Sequence, residues 1–134
     1  MVKVIIDTSG WIESFQQRGD KKLKALVKRL IIQGEVLLPG IIMTEILRGA
    51  KNAKEYEKLR DMLKGLTYLP VEDGFWERLA RFSFELFRKG MVVPLTDTYI
   101  ALIAIENKVP IIHKDKHFDL IAKKTSLKIH NFWR

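Results

Sequence analysis

Short apolar runs alternate along the chain with longer segments of helical period, and that alternation predicts an α/β protein. Lys3 to Ile6 opens the pattern as a strand, almost continuously apolar and therefore placed centrally in a sheet. "TSGWIESFQQR" follows as a helix with Thr8 or Ser9 available to cap it, and a second helix from about Asp20 to Gln33 stops at Gly34. Glu35 to Leu38 is the next strand. Pro39-Gly40 then turns into a helix carrying Glu45, and a charged helix from Ala53 to Lys64 ends at Gly65.

Thr67 to Leu69 reads as the third strand. From Glu72 to Lys89 the apolar positions Phe75, Leu79, Phe82 and Leu86 recur at spacings of three and four, an amphipathic helix closed by Gly90. Asp97 begins a helix, "TYIALIAI", so apolar that it is expected to be buried on most sides. Val109 to His113 forms the fourth strand, "KHFDLIAKK" a short helix, and Leu127 to His130 a fifth strand. The expected fold is a mainly parallel sheet of about five strands flanked by helices, in one domain, with no linker or internal repeat to divide it.

Within this pattern four carboxylates occupy unusual places. Asp7 ends the first strand and Asp115 follows the fourth, at strand ends where open α/β sheets gather their ligands. Glu45 lies among Ile41, Ile42, Ile46 and Leu47, and Asp97 opens the buried helix. An ionised carboxylate in an apolar segment is costly unless positive charge compensates it. Several converging carboxylates suggest a hard cation such as Mg2+ or Mn2+. Each acid also has a plainer explanation. Asp7 and Asp97, beside Thr8-Ser9 and Thr96, would serve as helix caps. Glu45 would pair with Arg48 three residues on. Asp115 and Asp119, four apart, would cap or face solvent.

Composition narrows the chemistry further. There is no cysteine, which excludes disulfides, thiolate metal sites and cysteine nucleophiles. Only three histidines are present, so a zinc site built on them would be poorly supplied. His113 and His117 are four apart, but His113 is expected to end a strand, which breaks the helical geometry of a metal pair. Both read as polar rim residues that touch phosphate. No phosphate-binding GxxxxGK loop, GxGxxG turn or GxSxG elbow occurs, and Ser9 has no histidine placed beside it.

Lysine and arginine number 24 against 16 acidic residues, a formal charge of +8. Such a surplus attracts polyanions, nucleic acid above all, although a lysine-rich surface also serves solubility alone. No apolar stretch is long enough to span a bilayer, and Asp7 interrupts what a signal peptide would need, so a cytoplasmic location without membrane association is expected.

With these residues assembled, the chain resembles a PIN-domain ribonuclease of the VapC toxin type. The likeness runs over residues 1–134 and rests on "VIIDTSGWIESF", on "PGIIMTEILRGA" and, most specifically, on "RKGMVVPLTDTYIALIAIENKVPIIHKDKHFDLIA". It implies that Asp7, Glu45, Asp97 and Asp115 form an acidic quartet holding one or two Mg2+ or Mn2+ ions for hydrolysis of RNA phosphodiesters. Asp7 and Asp97 would be the principal ligands, Asp115 would complete the shell, and Glu45 would bind a second ion or hold the attacking water. Ser9 and Asp119 would be auxiliary. Gly10 stands where a larger apolar residue is common in the family, and Thr98 where alanine is usual; neither removes an acid.

Arg48, Lys51, Lys54, Lys114 and Lys116, close in sequence to the acids, are candidates to grip an RNA backbone. Trp11, Phe15, Phe75, Trp76 and Phe82 recur at helical spacings and read as core or dimer contact rather than stacking platforms. The resemblance further implies a cognate antitoxin covering the active site and a homodimer, with Trp11, Ile12 and Phe15 as interface candidates. A non-catalytic RNA-binding module, or an RNA-processing nuclease of the same fold, remains open as an alternative. A receiver-type signalling domain fits poorly, because the first strand ends in Asp7 alone and Asp73 falls at a helix start.

Overall fold

The computed structural model describes residues 3–130. Its sheet has four parallel strands in the order β3-β2-β1-β4: β1 (Val4–Ile6), β2 (Val36–Pro39), β3 (Thr67–Leu69) and β4 (Ile111–Ile112). β1 is buried along its whole length, as expected of an apolar run that has a neighbour on each side. It pairs Val4 with Val36 on one flank and Ile6 with Ile112 on the other. The chain leaves β1 toward β2 and later returns to place β4 on the opposite side. Strand order therefore reverses between β1 and β4, and the crevice beyond their carboxyl ends is where such sheets bind ligands.

Seven helices accompany the strands among the described residues: α1 (Thr8–Phe15), α2 (Lys21–Ile32), α3 (Gly40–Arg48), α4 (Ala53–Leu63), α5 (Phe75–Arg88), α6 (Leu95–Asn107) and α7 (Lys116–Lys124). α1 packs on α2 and α3, and α6 packs on α5 and α7. α6 carries the continuous buried run Ile100–Ala104; Ala101 and Ala104 let it lie close to its neighbours. Together with Ile5, Ile6, Trp11, Ile42, Ile111, Ile112, Phe118 and Ile121 it makes the core beneath the strand ends.

Four elements differ from the sequence expectation. Leu127 to His130 is not a strand: Ile129 makes one parallel bridge to Ile111, with Ile111 N–H donating to Lys128 and His130 N–H to Ile111. β4 is two residues long and offers no ladder for more, which leaves four strands instead of about five. The first helix stops at Phe15, before "QQR", because Gln16 turns extended and Asp20 caps a new helix through Leu23 N–H at 3.0 Å. α5 starts at Phe75, three residues late, because Gly74 adopts a left-handed φ of 80° that only glycine takes readily. α6 begins at Leu95 behind Pro94, so Asp97 lies inside the first turn instead of opening it. No helix among the described residues is long and apolar enough to cross a membrane.

Candidate functional site

β1 delivers Asp7 to the crevice. Its backbone N–H donates to Ile112 of β4 at 2.9 Å, and its extended φ and ψ turn the chain into α1. Oδ2 accepts both the backbone N–H of Ser9 at 3.0 Å and the Ser9 hydroxyl at 2.6 Å. The capping role and the site role thus coincide in one side chain, which is buried at 4% exposure. Burial raises its pKa above the usual carboxylate value, the bonds from Ser9 and Thr8 oppose that, and the negative charge of Glu45 adds to it.

Glu45 projects from α3, half-buried. Its Oε1 accepts the Thr8 hydroxyl at 2.8 Å, so its partner lies across 37 positions on α1 instead of being Arg48 on its own helix. The Ser9 hydroxyl, while donating to Asp7, accepts the backbone N–H of Lys114 at 3.0 Å. These two hydroxyls tie the loop after β4 and helix α3 to the start of α1.

Asp97 does not cap α6, since Pro94 holds the cap position. The residue is 8% exposed, and its pKa is pushed up to about 6, first by burial, then by the charges of Asp115 and Asp7, against a hydrogen bond with His117. Asp115 does cap: its Oδ1 accepts His117 N–H at 2.9 Å at the start of α7. That cap folds the His117 ring back over the crevice. Nδ1 of His117 lies 2.9 Å from Asp97 Oδ2 and 3.0 Å from Asp115 Oδ1.

Ligand atoms of Asp97, Asp115 and His117 all lie within 4.8 Å of one another, and among the described residues they form the group able to hold a cation. Asp7 and Glu45 stand outside this compact trio but are coupled to it by charge, Asp7 to Asp97 and Glu45 to Asp7. Buried, mutually repelling carboxylates suit a divalent ion, which supplies compensating positive charge.

The two histidines are not rim residues of one kind. His113 is buried at 1% exposure, with its ring against Phe118. Its Nδ1 accepts Asp115 N–H at 2.9 Å, so the ring proton sits on Nε2, 3.2 Å from Asp119 Oδ1. Asp119 therefore stands behind His113 and outside the cation group. His117, half-buried, belongs to that group. Sequence spacing missed it because the relevant interval is Asp115-x-His117 across a helix cap, not the four-residue step between the histidines. Thr8 likewise carries no local signal beyond that of a cap.

Arg48, Lys51, Lys54, Lys114 and Lys116 are all exposed, and Lys114 and Lys116 flank Asp115 directly. Of the aromatic residues expected in the core or an interface, Trp11 and Phe75 are buried and Phe82 half-buried; Phe15 and Trp76 are exposed. Trp11 is thereby removed from the interface candidates, leaving Ile12 and Phe15.

A parallel α/β sheet with clustered acids at its switch point defines the class. The chain belongs to the PIN domain family, whose sequence model matches residues 4–124. It is similar to a VapC ribonuclease of Mycobacterium bovis, 31% identical over 134 residues that cover 96% of this chain and 98% of that protein. Among solved structures it resembles FitAcB from Neisseria gonorrhoeae, with a TM-score of 0.78 at 20% identity, covering 98% and 99% of the two chains. It also resembles VapBC-5 of Mycobacterium tuberculosis, a member of the VapBC family of toxin–antitoxin systems, with a TM-score of 0.64 at 21% identity over 96% and 98%.

Proposed function

We propose that this protein is a divalent-metal-dependent endoribonuclease and the toxin of a VapBC-type toxin–antitoxin pair. The observation that carries the reading is the convergence of Asp97 and Asp115 on His117, with Asp7 coupled by charge to Asp97 and Glu45 to Asp7. The ribonuclease name of a relative that matches the chain almost end to end supports the choice of reaction.

Asp7, Asp97 and Asp115 would hold Mg2+ or Mn2+, with Glu45 toward a second ion or the attacking water. When bound, the ion supplies Lewis-acid charge and a water of lowered pKa. The chain's own residues do the rest. Ser9 fixes Asp7 Oδ2, and Thr8 fixes Glu45 Oε1, leaving Oε2 to orient water and take its proton. Exposed Lys114 and Lys116 beside Asp115, with Arg48, Lys51 and Lys54, hold the phosphates either side of the scissile bond. An antitoxin that covered this crevice would silence the enzyme, and a basic side chain from it would satisfy the same carboxylates as the ion. A homodimer would use exposed apolar side chains such as Ile12 and Phe15.

The test is cleavage of a mixed RNA pool by wild type and Asp7→Asn with Mg2+, Mn2+ or EDTA. Cleavage by wild type alone, abolished by EDTA, is the expected result. Equal cleavage by both proteins would overturn the assignment of Asp7, and metal binding without cleavage of any RNA would favour a non-catalytic RNA-binding module.

A further inference from the structure

Imidazole nitrogen is not the donor that a purely carboxylate Mg2+ site would offer, yet His117 stands between two of its acids. Nδ1 is 2.9 Å from Asp97 Oδ2 and 3.0 Å from Asp115 Oδ1. Donors on adjacent corners of an octahedron with bonds of about 2.1 Å are separated by about 3.0 Å, so both distances match the edges of a coordination shell. The same distances allow the Nδ1 proton to bridge the two carboxylates, so the imidazole N–H occupies the electrostatic position of a cation. Replacing that proton by a metal ion requires the neutral tautomer that carries its proton on Nε2.

Two features keep the ring there. The backbone N–H of His117 is held by Asp115 Oδ1 at 2.9 Å, and Asp115 N–H is held in turn by buried His113. Phe118, fully buried and next in the chain, anchors the first turn of α7 from below. The His117 side chain is 30% exposed, which leaves the crevice open to an incoming ion.

We propose that His117 is a nitrogen ligand of the metal centre and biases it toward first-row transition ions such as Mn2+ or Co2+ over Mg2+. The inference rests on the metal-dependent reading of this crevice and adds an ion preference to it. Mg2+ favours oxygen and sheds water reluctantly, whereas imidazole binds first-row transition ions well.

Two measurements on the full chain test it without relying on turnover. Pulsed EPR of the Mn2+-loaded protein reads nitrogen bonded directly to the metal, and calorimetric titration gives Mn2+ and Mg2+ affinities for wild type, His117→Ala and His117→Asp. The expected result is nitrogen coupling in wild type that His117→Ala removes. The ratio of Mn2+ to Mg2+ affinity should fall by about 10-fold or more in His117→Ala, and His117→Asp should shift preference toward Mg2+. Absence of nitrogen coupling in wild type would overturn the proposal even if the variants failed to fold. So would an equal loss of both affinities in His117→Ala, which would make His117 a support for the carboxylates only. RNA cleavage assayed alongside separates the two readings. Cleavage without nitrogen coupling defeats the ligand assignment alone, and nitrogen coupling without cleavage upholds it while defeating the ribonuclease reading.

Discussion

The Ser9 hydroxyl accepts the backbone N–H of Lys114 at 3.0 Å, joining the ends of β1 and β4 across 105 positions of sequence. Because the same oxygen donates to Asp7 at 2.6 Å, one small side chain sets both the carboxylate and the loop that carries Asp115. Ser9→Ala leaves Asp7 with one donor fewer and Lys114 N–H without this acceptor. We expect a loss of about 1–2 kcal/mol in denaturant unfolding and weaker metal binding by calorimetry. Unchanged metal affinity would show that the loop holds itself.

Glu45 and Thr8 provide a paired test. Glu45→Gln keeps the shape and the Thr8 bond while removing the charge, so unfolding should change little. RNA cleavage should fall by at least about 100-fold, beyond the usual effect of losing a supporting partner. Thr8→Val should lower cleavage less, by about 10-fold, because the carboxylate survives but is free to rotate. If both variants cleave like wild type, Glu45 has no part in the chemistry.

The pH dependence of the metal-free chain follows from Asp97. Its folded pKa of about 6 lies above the ordinary 3.8, so the folded state binds more protons between those values. Stability from this group is therefore lost as pH rises from about 4 through 6, and stays lost above. In EDTA at pH 7.5, Asp97→Asn should be more stable than wild type by about 1–3 kcal/mol, with the gap closing toward pH 4. With Mn2+ present the order should reverse, since only wild type keeps the ligand. Denaturant melts across pH with and without metal read both effects; a pH-independent gap in EDTA would contradict the assignment.

Gly10 tests how closely α1 approaches the sheet. A Cβ there would lie 3.1 Å from Ile6 Cγ2 and 3.2 Å from the Ile112 carbonyl oxygen. That carbonyl is fixed by accepting Asp7 N–H at 2.9 Å and has little freedom to yield. Alanine in a helix gains up to about 1 kcal/mol over glycine, while overpacking costs about 1–3 kcal/mol. Gly10→Ala should thus be destabilising on balance, by thermal and denaturant melting.

Basic grip on RNA should appear in salt dependence. Single-strand binding slopes scale as about 0.7 per phosphate neutralised, so Lys114→Ala and Lys116→Ala should each flatten log Kd against log salt by about that amount. The assay needs a catalytically blocked background such as Asp7→Asn. A slope that the lysine variants leave unchanged would move the RNA track elsewhere on the basic surface.

The alternation of apolar runs and helical periods was enough to place nearly every element, because β1, the amphipathic face of α5 and the all-apolar α6 each bury what their own pattern requires. The four acids were legible for the same reason: charge inside an apolar segment stands out wherever it occurs. Local effects moved the boundaries. Gly74 delays α5, Pro94 sets the start of α6, and β4 is too short to pair a full fifth strand.

What the sequence determined by itself was most of the elements and the places where charge interrupts their apolar runs, since both follow from hydrophobicity and charge read at short range. Tertiary structure alone decided who meets whom. Thr8 with Glu45, Ser9 with Lys114, and His117 with Asp97 are pairs separated by 37, 105 and 20 positions. No local period encodes such pairs. They exist because β1 pairs with β2 on one side and β4 on the other, so the segments leaving these strands meet at one end of the sheet. The split of the two histidines was decided there as well: one turned inward to hold Asp115, while the cap of α7 swung the other over the carboxylates.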